Sequence, residues 1–141
     1  MQKIFLDTNI LLDVILRRNE FYEQSAKVWA DCETRKIQGF VSAISLNNTH
    51  YVLRKRVSQG TVLEYVRFVM DIFTIVPLDE MILRLAVDFP HKDFEDAIQT
   101  FSAVQAKADC IVTRDRQHFS GDYLPVLSPD EYLDIVRNMR K

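Results

Sequence analysis

The sequence predicts an α/β fold in a single domain spanning residues 1–141: a central, mainly parallel five-stranded sheet with helices on both faces. Three observations carry this prediction. Short apolar runs alternate along the chain with longer segments whose apolar residues recur every three or four positions, the pattern of strands and covering helices. The runs are unbroken, as in Ile4-Phe5-Leu6, which suits strands buried on both faces. Two of them, Ile4-Phe5-Leu6 and Cys110-Ile111-Val112-Thr113, lead into the aspartates Asp7 and Asp115. Ligands of open α/β sheets bind beyond the carboxyl ends of the strands, so those two junctions are where function is expected.

Taken in order, the first strand falls at about residues 3–6 and a helix over about 9–17 comes after it. A longer helix, about 20–36, leads to a second strand at about 39–41. Helices over about 43–57 and 61–72 come next, separated at Gly60 and forming a hairpin with Arg54, Lys55 and Arg56 near its tip. The third strand, about 74–77, precedes a helix at about 79–87 whose Ile82, Leu85 and Ala86 share a face and which Pro90 stops. Ala97, Phe101 and Val104 mark a helix over about 94–107, and strands lie beyond it at about 110–113 and 125–127. The last helix, about 129–138, is announced by Ser128-Pro129-Asp130-Glu131, an N-cap Ser, a first-turn Pro and an N3 Glu.

At 141 residues, 48% hydrophobic and 27% charged with only 3 Gly and 4 Pro, the chain has the composition of one folded domain. No apolar stretch approaches the roughly 20 residues that span a bilayer, and Met1-Gln2-Lys3 runs straight into a strand. A cytoplasmic protein with no membrane partner is expected. Cys32 and Cys110 lie far apart in apolar or helical sequence, which supports neither a disulfide nor a zinc site. A formal net charge of −2 excludes the broad basic surface of a nucleic-acid coat, though not a local basic rim.

A third acidic site, Asp93-Phe94-Glu95-Asp96, opens the helix at about 94. Asp93 at an N-cap and Asp96 at N3 suit a helix start, and Asp7 and Asp115 are each placed to cap the next element of the chain. Taken together they point elsewhere. Carboxylates converging at one sheet edge repel unless a cation sits among them, and oxygen ligands suit a hard ion, Mg²⁺ or Mn²⁺. Such an ion, with open positions for phosphate oxygens, is the basis of phosphodiester chemistry.

The segments Phe5-Leu6-Asp7-Thr8-Asn9-Ile10-Leu11-Leu12-Asp13, Asp93-Phe94-Glu95-Asp96-Ala97 and Ile111-Val112-Thr113-Arg114-Asp115, in this order and spacing, resemble a PIN domain over about residues 3–135. The likeness is to the bacterial branch with an Asp-Phe-Glu-Asp-Ala segment and a Ser-Pro-acid helix start. It implies a PIN-like fold and a metal-dependent endoribonuclease, in many bacterial members the VapC-type toxin of a toxin–antitoxin pair. It also implies an RNA substrate cleaved to a 5′-phosphate and a 3′-hydroxyl, a cognate antitoxin protein as partner, and a homodimer. By position, Asp7, Asp96 and Asp115 match family residues that bind Mg²⁺ or Mn²⁺, with Asp93 as a helper. Asn48 stands where such nucleases usually carry a Glu. An amide ligates through its carbonyl but brings no charge and does not act as a base at neutral pH.

Around these residues, Asn9 is placed to orient Asp7, Thr113 and Ser45 to line the site through hydroxyls, and Arg114 to meet phosphate or to pair with a carboxylate. Arg17, Arg18, Lys92 and the Arg54-Lys55-Arg56 cluster are candidates for a basic rim. His50, His91 and His118 show no metal-ligand spacing. Tyr65, Phe68, Val69 and Ile72 read as core or protein interface rather than a base-stacking face. A phosphoacceptor switch wants paired acids after the first strand and a Lys after the last, where this chain has Asp7-Thr8 and Leu127-Ser128. An Asp-x-Asp phosphatase is disfavoured by Asn9. A catalytically weak PIN-like module binding RNA or protein stays open because of Asn48.

Overall fold

The computed structural model of the chain describes residues 3–89 and 93–139. Pro90, expected to stop a helix, and His91 and Lys92 lie outside the described residues. The elements run β1 (Lys3–Leu6), α1 (Thr8–Ile15), α2 (Tyr22–Glu33), β2 (Gln38–Ser42), α3 (Ala43–Leu53), α4 (Gln59–Ile72), β3 (Thr74–Val76), α5 (Glu80–Asp88), α6 (Phe94–Gln105), β4 (Cys110–Val112), a short 3-10 turn (Arg116–His118), β5 (Val126–Leu127) and α7 (Pro129–Met139). No helix among the described residues is long and apolar enough to cross a membrane.

The sheet is parallel throughout, in the order β3-β2-β1-β4-β5. The chain therefore builds outward from β1 through β2 to β3, then crosses back to place β4 on the other side of β1. Ile4 pairs with Cys110 and Leu6 with Val112, so the two aspartate-bearing strand ends finish side by side at the point where the strand order reverses.

Alternate side chains of each strand feed two cores, as a sheet covered on both faces requires. Ile4, Leu6, Val41, Cys110 and Val112 join α1, α2, α4 and α7 on one face through Leu11, Val28, Trp29, Val69 and Tyr132. Phe5, Phe40, Val76 and Ile111 join α5 and α6 on the other through Ile82, Ala86, Ile98 and Phe101. Both cysteines are buried, and burial above all holds each thiol up at about 12, leaving them unreactive packing groups.

The helices α1, α2, α3 and α6 end earlier than their periodicity suggests, and in three cases the backbone shows why. Arg17, Arg35 and Lys107 adopt φ of 50°, 63° and 57° just past α1, α2 and α6. In each case the next residue's N–H closes the helix end: Arg18 bonds to Asp13 O, Lys36 to Asp31 O and Ala108 to Ala103 O. These are Schellman closures with a basic residue in the place glycine usually takes, so no glycine marks them in the sequence. The α3–α4 hairpin forms, but Gly60 is not its break. Gly60 lies inside the first turn of α4, because Ser58 Oγ accepts from Thr61 N at 3.4 Å and starts the helix ahead of it. At α7 the expected capping box is present: Glu131 N donates to Ser128 Oγ at 3.1 Å and Ser128 N to Glu131 Oε1 at 2.9 Å.

Candidate active site

Asp7 leaves β1 in extended conformation and caps α1, so its two carboxylate oxygens divide the labour. Oδ1 accepts from the Thr8 N–H at 2.7 Å, and Oδ2 accepts from the Thr113 hydroxyl at 2.8 Å. Capping and site formation are thus not alternatives here. Thr113, wholly buried just beyond β4, also accepts the Asp115 N–H at 3.0 Å, and Asn9 Nδ2 donates to Asp115 Oδ2 at 2.9 Å. Asn9, expected to orient Asp7, holds Asp115 with its amide instead. One hydroxyl and one amide therefore fix two carboxylates across the β1–β4 seam. Burial first of all, and the Asp115 charge in addition, hold the Asp7 carboxyl above its ordinary range against the lowering effect of its hydrogen bonds.

The N-terminus of α6 forms a further wall. Asp93 is its N-cap, Oδ1 accepting from Asp96 N at 3.1 Å, which is the capping role its position suits. Asp96 sits in the same first turn, and its carbonyl accepts from Thr100 Oγ1 at 3.1 Å. Between them, Glu95 accepts from Asn48 Nδ2 at 2.6 Å. Partial burial, then repulsion from Asp93 and a smaller repulsion from Asp7, raises the Glu95 carboxyl, while the Asn48 bond lowers it.

Gln99, one turn further along α6, is a residue that sequence reasoning missed. It is 1% exposed, and its Nε2 donates to Ser45 Oγ at 3.0 Å and to Thr8 Oγ1 at 3.3 Å, while Thr8 and Ser45 meet at 2.7 Å. It ties the turn bearing Glu95 and Asp96 to the residue next to Asp7. Its one sequence signal is a long polar side chain among Ala97, Ile98 and Phe101. The hydroxyl of Ser45, a residue expected to line the site, is buried and held by Thr8 and Gln99.

Arg114 takes the second of the two roles open to it. Its Nε donates to Asp13 Oδ2 at 2.7 Å and its guanidinium lies 4.0 Å from the centre of the Phe21 ring. Asp13 is wholly buried and also meets Arg18 Nη1 at 3.4 Å and Ser25 Oγ at 3.3 Å. This network pins the Thr113-Arg114-Asp115 turn to α1 from behind. Arg18 is accordingly committed to Asp13, Arg17 packs over Tyr22, and Arg54 and Lys55 flank the ring of Tyr51 on α3. His50 lies within α3, and His118 closes the 3-10 turn. The predicted stripe divides: Val69 and Ile72 are core, while Tyr65 and Phe68 line a groove of about 610 Å³ with Trp29 and Val14.

These residues suit a hard cation. The donors are all oxygen, and no Lys or Arg among the described residues forms an ion pair with Asp7, Glu95 or Asp115. Asn9 Oδ1 and Gln99 Oε1 are buried acceptors with no hydrogen-bond partner among the described residues, an excess of acceptors that a cation or its waters would satisfy. Among the described residues no three His, Cys, Asp or Glu side chains close into a ready-made cage. Few direct ligands and several retained waters are the habit of Mg²⁺.

Comparison with known proteins agrees with this geometry. The chain is similar in fold to a toxin–antitoxin complex chain from Klebsiella pneumoniae, with a TM-score of 0.67, 23% identity and coverage of 89% of this chain and 97% of that one. It is similar to the sarcin-ricin-loop-cleaving toxin VapC20 of Mycobacterium tuberculosis, with a TM-score of 0.62, 15% identity and coverage of 85% and 92%. VapBC2 from Rickettsia felis, bound to a promoter DNA fragment, matches with a TM-score of 0.63, 14% identity and coverage of 90% and 98%. No curated protein matches the sequence. The sequence profile of the PIN domain matches residues 3–117, and with that match over most of its length the chain belongs to the PIN domain family.

Proposed function

We propose that this PIN domain is a Mg²⁺- or Mn²⁺-dependent endoribonuclease and the toxin of a toxin–antitoxin pair. The observation that carries the reading is the junction of Asp7 and Asp115 through Thr113 and Asn9 at the strand-order reversal, with the acidic first turn of α6 beside it. Asp7, Asp96 and Asp115 would hold the ion, and Asp93 caps the turn that presents Asp96. When bound, the ion supplies Lewis acidity toward a phosphodiester and neutralises charge that develops in the transition state.

The chain's own groups supply orientation. The Thr113 hydroxyl fixes Asp7 Oδ2, the Asn9 amide fixes Asp115 Oδ2, and the Arg114–Asp13 pair holds the loop that joins them. Asn48 carries no proton-accepting group, so any base at that wall comes from a carboxylate. Purified full-length chain with Mn²⁺ is expected to cleave single-stranded RNA, and Asp7→Asn to abolish cleavage. Equal cleavage by Asp7→Asn and parent would sink the reading. The antitoxin partner is supported by the assemblies in which similar folds occur and by the Trp29–Tyr65–Phe68 groove; co-purification with the product of an adjacent small gene tests it. A catalytically weak binding module is the second reading, favoured by Asn48, and no metal-dependent cleavage of any RNA together with retained RNA binding would establish it.

A further inference from the structure

We infer that Glu95 is a fourth carboxylate of the ion site and that Asn48 is the residue that positions it; this rests on the divalent-ion reading above. The charge absent from α3 at Asn48 is then carried by α6, one hydrogen bond away. Asn48 Nδ2 and Glu95 Oε1 are 2.6 Å apart, a close N–H···O contact just under the usual range of about 2.7–3.2 Å. A single amide donor leaves the second carboxylate oxygen open, and no Lys or Arg among the described residues pairs with Glu95. A carboxylate held by a neutral donor next to other carboxylates keeps its charge for something else. That is the environment of a metal ligand rather than of a surface ion pair.

A separate observation points the same way. Gln99 lies four residues beyond Glu95 and so shares its face of α6. Its amide nitrogen is fixed between Thr8 and Ser45, the neighbours of Asp7 and of the turn that leads to Asn48, and its Oε1 is buried without a partner among the described residues. A buried acceptor so placed is costly unless a cation or a water bound to it supplies the missing contact. Glu95 and Gln99 thus share the face of α6 whose hydrogen bonds reach Asn48 and Ser45 on α3 and Thr8 beside Asp7.

The test is Mn²⁺ binding by calorimetry on the full chain, with thermal melting in chelator as a check on folding. Glu95→Gln should weaken binding by at least about tenfold while melting in chelator is no lower than the parent's, and Asn48→Ala should weaken it by a smaller factor. Glu64→Gln, an exposed acid on α4, should change it by less than about twofold, which separates ligation from net charge. The exchange Asn48→Glu with Glu95→Gln moves the carboxylate back across the same contact and should restore affinity to within about threefold of the parent. If Glu95→Gln binds no more weakly than Glu64→Gln, or if the exchange restores nothing, the inference is wrong. If Asp7→Asn binds as the parent does, or the parent binds no Mn²⁺, the ion reading itself fails and Glu95 with it.

Discussion

Replacing Arg114 by Met tests whether this arginine is a structural tie or a phosphate contact. Its Nε lies 2.7 Å from Asp13 Oδ2, with side-chain exposures of 20% for Arg114 and none for Asp13. Removing one partner of a buried ion pair costs about 3–5 kcal/mol, because the other charge is left in a poor solvent. Arg18 at 3.4 Å, itself 34% exposed, and Ser25 at 3.3 Å retain part of that. Loss of the stacking on Phe21 adds about 0.5–1 kcal/mol. The net expectation is about 2–4 kcal/mol, or a fall in Tm of about 6–15 °C for a domain of this size. Urea and thermal unfolding of Arg114→Met, Asp13→Asn and the double variant would show a coupling of about 1–3 kcal/mol between the two positions. A loss below about 0.5 kcal/mol, typical of surface sites, or strictly additive single effects, would refute the tie.

Asp7→Asn should abolish RNA cleavage yet stabilise the metal-free chain by about 0.5–2 kcal/mol in thermal melts, since Asn still caps α1 and the cost of burying charge is gone. The pH dependence has a definite sign. Asp7 and Glu95 titrate above their ordinary values of 3.8 and 4.5, so their contribution to stability is full below those values and is lost as pH rises through the raised ones. Metal-free parent should therefore lose stability over that window more steeply than Asp7→Asn does. Lys107→Gly relieves the positive φ after α6 and should add about 1 kcal/mol by chemical denaturation. Gly39→Ala should cost about 1–3 kcal/mol, because its Cβ would meet Cys32 Sγ at 2.6 Å and the Phe73 ring at 2.7 Å.

How much of this could be read from the sequence depends on the range of the interaction. The strands and the class of sheet come from apolar patterning, which is local, and Asp7 and Asp115 stand out because each closely follows such a run. That they meet is a matter of strand order, with Thr113 Oγ1 bonding Asp7 from 106 residues away. Contacts of that range leave no periodicity behind. The Asn48–Glu95 bond, the Gln99 bridge and the burial of Arg114 against Asp13 are of the same kind, each depending on how two helices or a helix and a loop cross. Helix ends at Arg17, Arg35 and Lys107 were overrun because basic residues occupy positions where glycine would have signalled a stop. Gly60 misled in the opposite sense: the first turn of a helix leaves its N–H groups unbonded anyway, and Ser58 supplied the start.

The most direct measurement is anomalous diffraction from crystals of the full chain soaked with Mn²⁺. A peak bounded by the carboxylates of Asp7, Asp96 and Asp115 is the predicted result. Saturating Mn²⁺ with no peak there, or with the ion held elsewhere on the chain, would contradict the assignment of this sheet edge as the active site.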